Sequence, residues 1–367
     1  MRNICADEVT FRQYLKDIQS ETKACLEAHL NAQKSTLGDI DQDTSDLLID
    51  ALISFCTRGK MFRAAVFGLG FKMADKLSQC EVPILVQAGV ELIQSGLLIQ
   101  DDIVDGDDIR RGLPTIHRMF ALACQDQKEN ICADDADEIG RGMAMMTSDL
   151  AIVLAYDLFL EAEFSADTII KATTQFNRNL IKTALGQAMD VSLHGSLSPG
   201  TPQILKSATY KTAYYTVVGP MQLGARLAGA NTDLLENIDQ FGRNIGLAYQ
   251  LRDDILDIFG NQYSSDRKQS SDIAGNKRTL LIENTIRKTS GTEHDLFLNS
   301  LGNRDLSSAE INMLRDIIEG SGALAETTKK AESFANEGKN MIPLLTANTH
   351  IAQLLRGVCM FAVYRED

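Results

Sequence analysis

The sequence predicts an all-α fold, a single large helical bundle, and three observations carry that prediction. Prolines are few, six in 367 residues. Long segments are dominated by Ala, Leu, Ile, Met, Gln and Glu, most of them good helix formers. No segment sustains the period-2 alternation of a half-buried strand. Taken in chain order, the first chemically distinctive stretch is Arg58-Gly59-Lys60-Met-Phe-Arg63, a basic word with a flexible glycine. Pro83 sits where a helix begins, and residues 83–105 read as one long helix. Within it Ala88, Leu92, Ser95, Ile99 and Asp102 follow a 4-3-4-3 spacing, which is one helical stripe. Loops are predicted at 36–45, 106–115, 126–138, 194–203, 260–276, 289–292 and 319–322, all rich in Gly, Ser, Asn, Asp or Pro. The acidic run Asp134-Asp135-Ala-Asp137-Glu138 falls in one of these and reads as a solvated loop, not a metal site. No linker is long enough to mark a boundary, so residues 1–367 are expected to form one domain.

The bulk numbers exclude several classes. Hydrophobic residues make up 44% of the chain, ample for a core. The seven cysteines are scattered with no CxxC spacing, which argues against a disulfide framework or zinc site and for a reducing, cytoplasmic setting. None of the five histidines sits in a metal-ligand word. The N-terminus has no apolar signal-peptide core. No run approaches the roughly 18 uninterrupted apolar residues of a membrane span. A net charge of −14 makes nucleic acid an unsuitable partner.

Against that acidic background two words stand out: Asp101-Asp102-Ile-Val-Asp105 and Asp253-Asp254-Ile-Leu-Asp257. Residues i and i+4 share a helix face, so Asp101 faces with Asp105 and Asp253 with Asp257. Like charges so placed cost an isolated helix a few tenths, about 0.2–0.5 kcal/mol per pair. A divalent cation would offset this, and oxygen-only ligands suit Mg²⁺, which binds one or two carboxylates together with waters and substrate phosphates. Arg110-Arg111-Gly112 follows the first word, and Lys268, Lys277 and Arg278 follow the second. Guanidinium pairs beside Mg²⁺-binding carboxylates suit a diphosphate. Alone, each word has a plain reading as a solvated helix face; the joint pattern of acidic words followed by basic residues does not.

In these words the chain resembles the trans-isoprenyl diphosphate synthases, or polyprenyl synthetases. The resemblance runs from about residue 58 to 282: Gly59-Lys60-Met-Phe-Arg63, the first acidic word with Arg110-Arg111-Gly112, Gly186-Gln187-Ala-Met-Asp190, Lys211-Thr212, Tyr249-Gln250 before the second acidic word, then Lys268 and Lys277 with Asp272 between. It implies an all-α fold, usually a homodimer, with the acidic words facing each other across a deep cavity. It implies that Asp101, Asp102, Asp105, Asp253, Asp254 and Asp257 hold three Mg²⁺ ions on an allylic diphosphate. Arg110, Lys211 and Lys268 would grip that diphosphate, with Lys277 nearby. Lys60, Arg63, Gln94 and Arg111 would hold isopentenyl diphosphate, and Thr212 and Gln250 would face a developing carbocation. The physics agrees: cations stabilise a leaving diphosphate where charge develops, and amide or hydroxyl dipoles stabilise a carbocation without quenching it. The chain departs from the family pattern at Gln94, where His is frequent, and at Ala64, Ser148 and Arg267; none of these removes a charged ligand.

Leu97 and Gly96 occupy the positions where bulky aromatics stop growth at C15 in the family. With one turn about 5.4 Å, Leu97 lies one turn and Val90 about three turns below Asp101. The expectation is a deeper floor and a C20 geranylgeranyl product, shortened by Phe at 96 and 97. A C15 or longer product, a class I terpene cyclase and a regulatory subunit of a heteromeric synthase remain the alternatives.

Overall fold

The computed structural model describes residues 5–75, 80–127, 131–196, 199–260 and 270–366. The chain opens with α1 (Ala6–Gly38), α2 (Gln42–Cys56), α3 (Phe62–Ala74) and α4 (Ile84–Asp105). A hairpin of β1 (Ile109–Arg110) and β2 (Leu113–Pro114) leads to α5 (Ile116–Gln127), α6 (Ala133–Glu161) and α7 (Ala166–Leu193). Next come α8 (Thr201–Ala208), a π-helix over Thr209–Val218, α9 (Gly219–Leu227) and α10 (Thr232–Phe259). The remainder is α11 (Ser271–Ala274), α12 (Leu280–Lys288), α13 (Gly291–Ser300), α14 (Ser308–Gly320), α15 (Ala323–Leu345) and α16 (Thr349–Tyr364).

Local chemistry sets the ends. Asp41, Ser165, Asn231, Thr279 and Asn348 each accept a backbone N–H from the first turn of the helix that follows. Ser307 and Glu310 form a full capping box on α14. Helix α4 starts after Pro83, as the sequence predicts, and stops at Gly106, whose positive φ of 67° is the left-handed cap that glycine accepts without strain.

The predicted 4-3-4-3 stripe of α4 is its buried face: Ala88, Leu92, Ser95, Ile99 and Asp102 are all buried. Several predicted loops are corrected: α8 begins at Thr201 inside 194–203, α11 (Ser271–Ala274) falls inside 260–276, and α14 runs to Gly320 inside 319–322. Residues 36–45 are helical except for a short break, because α1 continues to Gly38 and α2 begins at Gln42. The acidic run 134–138 opens α6 rather than lying in a loop; carboxylates in a first turn complement the helix dipole, and Asp137 also pairs with Arg118 at 2.5 Å. It remains largely exposed.

One large core joins α1, α3, α4, α6, α9, α10 and α16, and a smaller one joins the end of α10 to α11–α15. Helices α4 and α10, which carry the acidic words, lie inside the bundle, packed on α6 and on α15 respectively. The segments Thr201–Ala208, Thr209–Val218 and Gly219–Leu227 follow one another without a break, the middle one being a π-helix. It lies between α7 and α10.

Candidate functional site

One cavity of about 660 Å³ opens where these elements meet. From α4 its wall takes Glu91, Gln94, Leu98 and Asp101; from α10, Tyr249, Gln250, Asp253, Asp254 and Asp257; from the π-helix, Lys211, Thr212 and Tyr215. Lys60, Arg63, Arg110, Arg111 and Lys277 also line it, whereas the predicted Asp102 and Asp105 do not. Lys268 lies outside the described residues, as does Arg267.

The first acidic word is divided by helix geometry, since consecutive residues turn by about 100°. Asp101 faces the cavity, where Gln187 donates to it at 3.0 Å and Lys211 stands at 3.6 Å. Asp105 pairs with Lys277 at 2.6 Å, and its Oδ1 is buried with no hydrogen-bond partner. Asp102, on the buried stripe, is turned instead to Arg110 and forms a close ion pair with it. In the second word Asp253 pairs with Arg365, Asp254 accepts from Gln250 at 2.7 Å, and Asp257 caps α11 by accepting the Asp272 N–H at 3.0 Å, while also accepting the Ser271 hydroxyl at 2.6 Å. Burial, with Asp272 close by, pushes the Asp254 carboxyl well above the usual range and that of Asp257 up to about 7. Lys277 also reaches Asp272 at 3.3 Å, so one ammonium links the end of α4 to α11. Among the described residues no three His, Cys, Asp or Glu side chains converge to hold an ion on their own. The cavity's carboxylates, all oxygen donors, suit Mg²⁺, which completes its octahedron with waters and substrate phosphates.

The hairpin separates the two arginines. Arg111 and Gly112 both take positive φ, 53° and 72°, the signature of a two-residue I′ turn. Arg110 is thereby buried against Asp102, while Arg111 swings towards α2, donating to the Phe55 carbonyl at 3.2 Å. Arg63 lies 4.4 Å over the Tyr215 ring and donates to Thr216 at 3.0 Å. Gln19 donates to the Gly59 carbonyl at 2.7 Å, holding the loop that carries Lys60. Six of the cations lining the cavity fall into two groups, Lys60, Arg63 and Arg111 near α2 and α3, and Arg110, Lys211 and Lys277 at the acidic words; Arg58, Arg278 and Arg365 line it too.

Between the acidic words Thr212 donates to Gln250, which in turn donates to Asp254. Lys211 is gripped by Asp190 at 2.7 Å. Burial raises the Asp190 carboxyl, Lys211 lowers it, and the ion pair prevails, so Asp190 sits well below the usual carboxylate range.

Sequence reasoning missed three neighbours. Arg365, at the end of α16, is 1% exposed, lies 3.5 Å over Tyr249 and holds Asp253. No local pattern marks it. Asp190 was visible inside its Gly-Gln word but was given no role. Glu91 shares the spacing 91-94-98-101 with the predicted Gln94 and Asp101, and that spacing was the signal available.

The expected tail wall is corrected. A Cβ on Gly96 would stand 3.0 Å from both the Ser148 carbonyl oxygen and the Ile152 side chain, so Gly96 faces α6, not the cavity. Leu97 packs on the large core, and Val90 is buried in it. The cavity-facing residue of that turn is Leu98.

A bundle with two acidic words and two groups of cations around one cavity defines a helical isoprenoid synthase. Residues 45–318 match the polyprenyl synthetase family, and the chain belongs to it. It is 29% identical to a geranylgeranyl diphosphate synthase of Sulfolobus acidocaldarius over 72% of this chain and 74% of that one. It is 27% identical to a geranylfarnesyl diphosphate synthase of Natronomonas pharaonis over 80% and 79% of the respective chains. Its structure superposes with a TM-score of 0.88 on the geranylgeranyl pyrophosphate synthase of Corynebacterium glutamicum, solved with isoprenyl diphosphate and magnesium, at 25% identity over 96% of this chain and 99% of that one. The chain is a prenyltransferase that makes trans-prenyl diphosphates.

Proposed function

We propose that the cavity condenses isopentenyl diphosphate with an allylic diphosphate, using Mg²⁺, to give C20 geranylgeranyl diphosphate. The observation that carries this reading is the pair of separate cation groups in one cavity. Two diphosphates need two such groups, whereas a cyclase, which takes one, does not. Asp101, Asp105, Asp253, Asp254 and Asp257 would hold three Mg²⁺ ions. The unpartnered Asp105 oxygen and the oxygen-only donors fit that metal. When bound, the ions neutralise the charge that develops on the departing diphosphate.

The chain's own groups do the rest. Arg110, Lys211, Lys277 and Lys268 receive the allylic diphosphate, and Asp102 keeps Arg110 in place. Lys60, Arg63, Gln94 and Arg111 receive isopentenyl diphosphate. Thr212 and Gln250 present oxygen dipoles to the allylic carbons, with no nucleophile among them to trap a cation. The leaving diphosphate takes the final proton. A C20 product is supported by the non-aromatic Leu98 on the cavity wall and by the geranylgeranyl relatives. We read residues 1–367 as one domain, because α10 gives Ile245 and Ala248 to the large core and Ile255 and Ile258 to the smaller one. We also read the protein as a cytoplasmic homodimer; every described cysteine is a free thiol.

The test is elongation of C5, C10 and C15 allylic primers with labelled isopentenyl diphosphate, with products sized by chromatography. Mg²⁺-dependent growth to C20 is expected. Growth that stops at C15 would overturn the product length, and cyclic hydrocarbon from one diphosphate would overturn the reaction.

A further inference from the structure

Helix α3 cannot cap itself. Its N-cap residue, Met61, takes a left-handed conformation with φ of 55° and has no side-chain oxygen to offer. The N–H groups of a first helical turn have no intrahelical partner and require one. Glu91, reaching across from α4, supplies it. Its Oε1 accepts the Ala64 N–H at 2.8 Å, and the Arg63 amide also bonds to its carboxylate. Glu91 is 6% exposed, lines the cavity, and interacts with both Arg63 and Arg111. Burial pushes its carboxyl upward, while Arg63, the Ala64 amide and Arg111 pull against that. An anion on a wall that receives a diphosphate opposes binding if it acts alone. The same anion helps when it fixes the cations that do the binding.

Building on the function proposed above, we propose that Glu91 is a positioning residue of the isopentenyl diphosphate subsite. It caps α3 from outside, which sets the direction of Arg63 and the loop carrying Lys60, and it balances the charge of Arg63 and Arg111. Gln19 and Thr216 hold the same segment through neutral groups, and Glu91 adds a charged anchor.

Steady-state kinetics of the full chain with each substrate varied in turn provides the test. Glu91→Ala should raise KM for isopentenyl diphosphate about tenfold while leaving the allylic KM within about twofold. Glu91→Gln keeps an acceptor and should recover about half of that loss on a logarithmic scale, whereas a residue needed only for folding would not split the two KM values. An unchanged isopentenyl diphosphate KM in folded Glu91→Ala, or both KM values rising together, overturns the inference. Should the alanine variant not fold, Glu91→Gln and Glu91→Asp decide in the same assay. Withdrawing the carboxylate by one methylene must raise the isopentenyl diphosphate KM above that of the glutamine variant, and equal values overturn the inference. Lys60→Ala and Arg111→Ala separate the two levels. If they raise that KM and the Glu91 variants do not, only this inference fails. If they leave it unchanged, the assignment of the subsite fails as well.

Discussion

Asp101 and Asp102 are adjacent in the chain and serve different ends. Asp102 is 1% exposed beneath Arg110, so removing its charge leaves a buried guanidinium short of its closest partner; Asp107 at 3.7 Å and Asp101 at 3.9 Å are poor substitutes. Breaking a buried pair costs about 3–5 kcal/mol, and Asp102→Asn should therefore lower Tm markedly. Asp101→Asn should leave Tm nearly unchanged and raise the Mg²⁺ concentration for half-maximal activity by about tenfold or more. Equal Tm losses in the two variants would show that the division is wrong. Asp190 gives a pH signature. Its folded pKa is depressed by Lys211, so its contribution is complete above the ordinary carboxylate pKa of about 4 and is lost as pH falls through the lower folded value. The urea midpoint of Asp190→Asn should therefore trail the parent by a constant margin from neutral pH to about pH 5 and converge on it in stronger acid. A margin that persists into strong acid would contradict the assignment. At this scale the sequence showed which charges matter but not how they pair. Both arginines were legible from their word, yet their separation depends on Arg111 taking φ of 53° in a two-residue turn, which no spacing rule reports.

Helix α4 was legible because one stripe of five residues serves both its periodicity and its burial, and because Pro83 and Gly106 mark its ends. The ends of α1 and α6 were not, because Ser, Thr, Gly and Asp favour loops locally and only packing and dipole effects keep these turns helical. The π-helix was illegible too. Its position rests on neighbours that make room for it: a Cβ on Gly186 of α7 would lie 2.1 Å from the Lys211 backbone nitrogen. π-Helical segments are frequent at functional sites, and this one, ten residues long, sets Lys211 and Thr212 on the cavity wall. Gly186→Ala should push the π-helix off α7, cost about 1–3 kcal/mol in urea unfolding and depress kcat. A stable, fully active variant would show that the close approach is dispensable. On α4 the same reasoning changes the expectation for product length. Gly96→Phe should destabilise the protein by driving a ring into the Ser148 carbonyl, not shorten the product. Leu98→Phe, at the cavity-facing position of that turn, is the variant that should move the main product from C20 towards C15 by chromatography. An unchanged profile with Leu98→Phe would place the floor on another helix.

Over the whole molecule, α6 raises a question of burial. It is the one described helix long and apolar enough to cross a bilayer by length and composition, and 44% of its most apolar window is buried. Its inner face packs on α4 and α5. Its outer face leaves Met146, Val153 and Leu160 exposed at seven-residue intervals, and α7 beside it exposes Ile170, Ile181 and Leu185. A helix that is apolar on one packed side and one open side is an interface helix more readily than a spanning one, which would be apolar all round. A second copy of the chain related by a two-fold axis covers such a patch with the same patch, a self-complementary contact. The wild-type protein should therefore elute as a dimer, and Val153→Glu with Leu160→Glu should elute as a monomer at micromolar concentration, since like charges at the centre of an apolar contact cannot both be desolvated at small cost. Glu at Val9 and Ile40, exposed apolar residues of the N-terminal part of the chain, should leave the dimer intact. Light scattering reads both results directly. A wild-type monomer, or a double variant that remains dimeric, would mean that the exposed face of α6 and α7 meets something other than its own copy.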